Sequence, residues 1–358
     1  MNNSTPDYDY LIVGHGIGGL SIAWHLQTAG KSFKIIHDSS APNSSRVAAG
    51  VLNPLTGKKL VKTWLADDLF PYAYRFYEEL ETTLNAKFLH RTSVYRPFRS
   101  LAEQNTYLAQ TAEPGIARYV GEGRDQEAVA AYTHMEHGAL EVTGAGWIDL
   151  PLLMDKSITY FSEKGQFIEG VFDFHDLNLS GEFVKWKGNT YGKLMLCQGF
   201  TAVNDPVFDW LPFAPVKGQV LEIETEQKLE SHIVNQGIFI LPLGETKAKV
   251  GATYSWDPLD WTPTKACREE LEEKLAGLLK STYKVTGEIA GIRPSVKDRR
   301  PLIGVHPVRK NICIFNGLGT KGVTLGPFFA NELVQHLENG KELNPLVNIQ
   351  RYFSLYFH

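Results

Sequence analysis

Cysteine is scarce in this chain of 358 residues. Cys197, Cys267 and Cys313 lie far apart and form no C-x-x-C pair, which speaks against a zinc cluster or a disulfide scaffold. Long apolar runs are missing as well. A membrane-spanning helix needs about 20 apolar residues, and the first apolar run, Tyr10–Val13, stops at glycines. Met1–Asp7 is polar, with no basic stretch leading into an apolar one, so neither a signal peptide nor a membrane span is expected and a cytoplasmic location is the default. Excess positive charge is also lacking: 36 Lys and Arg against 40 Asp and Glu leave −4, a poor balance for a general nucleic-acid binder. No repeat, low-complexity tract or long linker interrupts the chain. What remains is ordinary globular composition, 43% hydrophobic and 21% charged, which excludes overall disorder. At about 150 residues per domain, the length suits two domains.

The strongest local signal is near the start. Tyr8–Val13 reads as a strand buried on both faces. Gly14-His15-Gly16-Ile17-Gly18-Gly19 follows and fits G-x-G-x-x-G. Leu20–Ala29 has helical spacing with Gly30 as a stop, and Phe33–Ile36 is a second strand. In this β-α-β context Gly14 permits the tight turn, Gly16 lets backbone approach a pyrophosphate, and Gly19 lets helix pack on strand. The helix N-terminus then faces phosphate charge with unpaired N–H groups. An acid normally ends the second strand and binds ribose hydroxyls. Here His37 takes that position and Asp38 comes one residue late, so either is a candidate. No basic residue invites a 2′-phosphate, which disfavours NADP.

Further along, Asp67–Leu84 is helical and rich in aromatics. Phe167–Phe174 and Glu182–Lys187 look like antiparallel strands. Lys193–Cys197 is a buried strand ending at Gly199, and Gln219–Ile223, Ile238–Leu241 and Lys249–Thr253 are strand candidates. Thr264–Lys280 is an amphipathic helix. Asn311–Phe315 is an apolar strand before the glycines of Asn316–Gly322, and Pro327 reads as the start of the final helix. The expected fold is α/β plus antiparallel β: a discontinuous Rossmann-type domain (1–86, 145–212 and 288–358) with an inserted, mostly antiparallel substrate domain (87–144 and 213–287).

Five further segments carry a family resemblance: Ser44-Ser45-Arg46-Val47-Ala48-Ala49-Gly50-Val51-Leu52; Gly146-Trp147-Ile148-Asp149-Leu150; Leu194-Met195-Leu196-Cys197-Gln198-Gly199; Gly291-Ile292-Arg293-Pro294 with Asp298-Arg299-Arg300-Pro301-Leu302-Ile303-Gly304; and Gly317-Leu318-Gly319-Thr320-Lys321-Gly322 running to Pro327. In order and spacing the chain resembles the D-amino-acid oxidase superfamily of FAD-dependent oxidoreductases. Within it, the chain is most similar to glycine oxidase, sarcosine oxidase and the oxidase half of the bifunctional enzyme that finishes methylaminomethyl-uridine in tRNA. The likeness is weakest over 87–140.

The resemblance implies non-covalent FAD, since no cysteine falls in Asn316–Gly322. It implies cofactor contacts at Gly14, Gly16, Ile17, Gly19, His37 or Asp38, Ser45, Arg46, Ala49, Gly50, Leu52, Gly199, Gly319, Thr320, Lys321 and Gly322. The N–H groups of Thr320, Lys321 and Gly322 and the Lys321 ammonium would face the flavin edge that becomes negative on reduction; the plainer alternative is that Lys321 is a solvated loop lysine. Arg293 matches the arginine that pairs with substrate carboxylate, a task suited to a planar guanidinium; the plainer alternative is a structural ion pair. Phe239 stands where glycine oxidase carries a tyrosine, which argues against glycine itself and admits a larger or more apolar substrate.

The activity implied is oxidation of the C–N bond of an amino acid or secondary amine by hydride transfer from Cα to flavin, giving an imine that water hydrolyses. This needs positioning rather than a strong protein base. Oxygen or another acceptor would reoxidise the flavin, and oligomerisation is left open. Two other readings stand beside it: a tRNA-modifying oxidase of a carboxymethylaminomethyl group, disfavoured by the charge, and a non-catalytic flavin-binding protein. An NAD-dependent dehydrogenase would leave the late glycine loop without a role. No metal is expected. His134-Met135-Glu136-His137 lacks a third ligand and reads as a surface loop. His15 is a candidate phosphate donor, and Lys58, Lys59 and Lys62 read as a solvated face more readily than an anion site.

Overall fold

In the computed structural model, which describes residues 5–57 and 59–357, Tyr8–Val13 forms strand β1. Tyr10 and Ile12 pack into one core and Leu11 and Val13 into another. Burial on both faces suits a parallel sheet clad in helices. β1 lies between β2 (Phe33–His37) and the strand Asn189–Leu196. The parallel sheet extends past β2 to Phe167–Glu169 and past Asn189–Leu196 to Ile312–Asn316. Leu302–Val305 adds antiparallel at that last strand.

The span 167–174 therefore differs from expectation. It supplies a three-residue parallel strand, Phe167–Glu169, and then turns at Gly170. Only Val184–Trp186 is antiparallel, paired with the start of Asn189–Leu196. The apolar pattern carries no strand direction. Direction comes from the preceding helix Leu150–Glu163, which carries the chain back along the sheet before the strand begins.

A second, seven-stranded sheet runs in the order Tyr283–Arg293, Val216–Thr225, Lys247–Gly251, Phe239–Pro242, Ile233–Asn235, Val94–Pro97, Ala139–Val142. Every pairing is antiparallel except Ile233–Asn235 with Val94–Pro97. Leu221, Ile223, Ile240, Ala248 and Val250 pack on one face with Leu271 and Leu275 of the helix Lys265–Ala276. Phe239 and Leu241 point the other way, into the core shared with the helices of the parallel sheet. The strand Tyr283–Arg293 runs without a break through the boundary expected at 287/288.

The final helix also differs. It spans Gly322–Asn339 and holds Pro327 inside it rather than at its start. Proline has no N–H, so the carbonyl of Val323, four residues back, loses its helical donor. The hydroxyl of Tyr77, itself fully buried, donates to that carbonyl at 2.8 Å. The aromatic helix Ala66–Leu84 thus supplies from outside the hydrogen bond that the helix cannot make for itself. Tyr77→Phe should lower stability by about 1–3 kcal/mol, because it leaves a buried carbonyl unpaired. Urea unfolding of Tyr77→Phe and of Tyr77→Phe/Pro327→Ala checks this. Restoring the N–H in the double variant should recover part of the loss.

Candidate functional site

The site is assembled where two helix N-termini meet. α1 (Ile17–Thr28) follows β1 and the helix Gly322–Asn339 follows Ile312–Asn316. Both strands flank Asn189–Leu196, so both helices start at the same edge of the sheet. The helices pack on each other through small residues. A Cβ on Gly322 would come within 2.9 Å of Ile17, and one on Gly326 within 3.2 Å of Ser21. Neither N-cap residue supplies a side-chain cap and neither helix has an acidic residue in its first turn, although the Ser45 hydroxyl takes the first N–H of α1. Two such positive helix ends side by side suit an anion.

The glycines serve different purposes. A Cβ on Gly19 would lie 1.9 Å from the Gly14 carbonyl oxygen, so Gly19 is required for α1 to sit on the turn. A Cβ on Gly14, at φ +97°, would come within 2.6 Å of the Cys197 carbonyl oxygen. Gly16 is different: a Cβ there meets no backbone, only side-chain ends, Ser45 Oγ at 3.2 Å and Asn43 Oδ1 at 3.7 Å, so its bareness serves whatever approaches the helix end. Ser45 Oγ accepts from Ile17 N–H at 3.0 Å, while Asn43 caps the short helix Ser44–Val47. Gly50, at φ +66°, lies against the Ile148 carbonyl, and Leu52 pairs with Gly146 and is fully buried. A Cβ on Gly199 would meet nothing within 4 Å, which marks open space at the sheet edge. Arg46 pairs with Asp155.

In the late loop, Gly319 N–H donates to the Pro294 carbonyl at 3.3 Å, which ties the loop to the residue after Arg293. The Lys321 N–H turns back onto the Leu318 carbonyl at 3.2 Å. It is thus already engaged, contrary to the expectation that it faces a ligand; the loop has to close a turn before its helix begins. The N–H groups of Thr320 and Gly322 make no hydrogen bond among the described residues. The Lys321 ammonium is largely buried and reaches Thr63 Oγ1 at 3.1 Å. Burial, and then Arg300 nearby, push its pKa down to about 8. No carboxylate pairs with it among the described residues.

Arg293 ends the strand Tyr283–Arg293 and lies flat across Gly218, where a Cβ would come within 2.2 Å of its guanidinium. It donates to the Thr253 carbonyl at 3.2 Å, and Tyr254 covers it at 4.4 Å from ring centroid to guanidinium carbon. Burial lowers its pKa. No ion pair to Arg293 occurs among the described residues, so the structural alternative for this residue finds no partner. Further across the same sheet the Phe239 ring lies over Gly251, whose strand neighbours that of Gly218. The two glycines thus floor one surface that carries a cation and an aromatic ring. Thr253, Tyr254, Thr63 and Arg300 were not legible as site residues, since nothing local to them marks contact with segments far along the chain.

At the adenosine end, His37 is half-buried and its pKa falls, first through burial. Asp38 folds back to accept from Ser40 N–H and hydroxyl, and Glu169, opposite His37 in the parallel register, accepts from Ser39. His15 is fully buried, with Nε2 at 3.0 Å from Ser157 Oγ and Nδ1 without a partner; burial drives its pKa down to about 3, so it is neutral. Among the described residues no group of three side chains could hold a metal, and His134 simply meets Glu136 in an exposed loop. Lys58 lies outside the described residues, and Lys62 pairs with Asp67. No helix among them is long and apolar enough to cross a membrane.

A glycine turn on a parallel sheet, two adjacent helix ends without acids and a facing antiparallel sheet are the features of a dinucleotide-binding fold. The chain belongs to the DAO family, FAD dependent oxidoreductase, whose model matches residues 9–336. It is 32% identical to glycine oxidase of Bacillus subtilis (strain 168) over 137 residues, 37% of this chain and 36% of that one. Over 95% of the chain and 96% of the relative it is 23% identical to glycine oxidase of Geobacillus kaustophilus (strain HTA426). The crystal structure of glycine oxidase from Geobacillus kaustophilus superposes with a TM-score of 0.78 at 20% identity, covering 97% of this chain and 98% of that one. The tRNA 5-methylaminomethyl-2-thiouridine biosynthesis bifunctional protein of Shewanella amazonensis is 24% identical over 92% of this chain, which spans 56% of that protein.

FAD suits the residues present: bare glycine at Gly16, helix ends without acids, and open space at Gly199. Gly16→Ala should leave apoprotein unfolding almost unchanged and weaken FAD binding tenfold or more, whereas Gly19→Ala should unfold the domain; thermal unfolding beside flavin fluorescence titration separates the two. Lys321→Met should raise apoprotein Tm at pH 7. The sign follows from the depressed folded pKa: the charged buried amine disfavours folding below about pH 8, and this penalty fades as pH rises toward 10.5, the ordinary lysine value. The same change should weaken FAD binding, a pattern expected where function and stability compete.

Proposed function

We propose that the chain oxidises the C–N bond of an amino acid or secondary amine that carries a carboxylate. The observation that carries this reading is Arg293: a buried guanidinium without an acid, held between Gly218 and Tyr254, on the segment that bonds directly to the late glycine loop. A buried unpaired cation is unfavourable unless a ligand completes it. A carboxylate accepting two of its N–H groups would be fixed in orientation as well as place. The names of the glycine oxidase relatives support the same substrate class.

The glycine turn and the late glycine loop would hold FAD, which would supply the acceptor for a hydride from the substrate carbon bonded to nitrogen. The chain's own residues then have three tasks. Arg293 holds the carboxylate. Phe239, lying over Gly251, offers an apolar wall and no hydroxyl, which favours a substrate bulkier or more apolar than glycine. The paired helix ends and Lys321 stabilise negative charge at the glycine loop. The amine loses a proton as the imine forms, and water hydrolyses the imine to an oxo acid or aldehyde and a free amine. Cofactor attachment is non-covalent on this reading. Cys197 and Cys313 are buried in the parallel sheet, and burial pushes the Cys313 thiol up to about 12.

Anaerobic addition of amino acids and secondary amines to the holoenzyme should bleach the flavin absorbance band for at least one carboxylate-bearing amine. Arg293→Gln should raise KM for carboxylate substrates 100-fold or more, and far less for amines lacking a carboxylate. An equal rise for both would remove Arg293 from this role, and a panel without bleaching would defeat the reading.

A further inference from the structure

Arg293 is not the one cation at this edge without an acid. Arg300 lies a short turn further along the chain, beyond Pro294–Arg299. Its guanidinium stacks on the Trp64 ring at 4.1 Å. Trp64 stacks in turn on Phe329 at 5.6 Å and 13°, and Phe329 is fully buried in the final helix. The guanidinium therefore rests on a rigid aromatic pile rather than swinging in solvent. The nearest acid in sequence, Asp298, is already taken: Arg351 Nε reaches it at 3.1 Å and Tyr352 hydroxyl at 2.7 Å. Among the described residues Arg300 has no ion pair, and its side chain makes one long contact, 3.5 Å to the Arg299 carbonyl.

The position matters as much as the vacancy. Arg300 stacks on Trp64 and the Lys321 ammonium donates to the hydroxyl of Thr63, the residue before Trp64, so the two cations rest on adjacent residues at the head of the final helix. Two cations held near each other repel, and neither has an acid to relieve the repulsion. A fixed guanidinium with free N–H groups, raised on an aromatic platform, is suited to bidentate capture of a carboxylate. Resting on the function proposed above, we propose that Arg300 on Trp64, next to Lys321, binds a second anionic group of the substrate, so that the preferred amine is a dicarboxylate whose first carboxylate sits on Arg293.

Two ethers that cannot be oxidised at nitrogen test this. Methoxyacetate carries one carboxylate and diglycolate two. Each is titrated into the FAD-loaded protein while its absorbance spectrum is followed. The parent protein should bind diglycolate at least tenfold more tightly than methoxyacetate. Arg300→Gln should abolish that preference, weakening diglycolate at least tenfold and methoxyacetate no more than twofold, while Arg300→Lys should keep part of it. Unchanged flavin content and Tm show that the variants are folded. Equal affinity of the parent for both ethers overturns the proposal, as does an equal loss of both in Arg300→Gln. If methoxyacetate binds and the preference is missing, the amine reading survives without the second anion site. If neither ether perturbs the spectrum, both fall together. A short single-stranded RNA that binds the parent but not Arg300→Gln, with no diglycolate preference, overturns it in favour of a polynucleotide.

Discussion

The close crossing of two helices is the constraint on which the site depends. One helix begins at residue 17 and the other at residue 322, yet Gly322 and Gly326 let them approach until a single added carbon would collide with Ile17 or Ser21. Each helix end carries roughly half a positive charge. Bringing two together without acidic caps is unfavourable for the empty protein and favourable only when an anion completes the pair. The parallel sheet makes the arrangement possible, because β1 and Ile312–Asn316 both neighbour Asn189–Leu196 and release their helices at one edge. The proline within the second helix is tolerated because Tyr77 reaches in with a hydroxyl. The helix crossing, the proline and the tyrosine thus form one mutually dependent unit.

The same principle extends to the side chains. Arg293, Arg300 and Lys321 are all held by packing rather than by acids: the first between Gly218 and Tyr254, the second on Trp64, the third buried against Thr63. Elsewhere the chain pairs charges readily, as at Arg351 with Asp298, Arg268 with Glu288 and Arg46 with Asp155. The contrast is what makes the three cations informative. Arg96 is also buried without an acid, but it donates to the Leu55 and Gly57 carbonyls, whereas Arg293 makes one carbonyl contact and Arg300 one long one.

Much of this was legible before any coordinates. The glycine turn and the late glycine loop follow from spacing and resemblance, because backbone requirements at Gly14, Gly16 and Gly19 leave a local mark on sequence. The start of the last helix was misplaced by five residues, because Pro327 resembles a first-turn proline and nothing in its neighbourhood reveals a tyrosine 250 residues earlier that makes it tolerable in the interior. Strand direction at 167–169 was missed for a related reason: side-chain alternation is the same in parallel and antiparallel strands. Arg300 lies within a family motif, yet nothing in the sequence marks it as a site residue. Its meaning depends on Trp64 beneath it and on Asp298 being occupied elsewhere, and neither fact is local.

These features point to a division of labour between the two sheets. The parallel sheet contributes backbone: helix ends and N–H groups, whose charge is fixed and does not titrate. The antiparallel sheet contributes side chains laid flat on glycines, Arg293 over Gly218 and Phe239 over Gly251. Backbone dipoles suit a cofactor whose shape is constant, because they cannot be altered by substituting one side chain. A side chain resting on a glycine suits a substrate that differs between relatives, since changing Phe239 alters the wall without disturbing the strand beneath. Hydrogen transfer from carbon requires orientation more than it requires a base. On the function proposed above, a carboxylate oriented opposite a rigidly held cofactor edge would meet that requirement without a His–Asp pair.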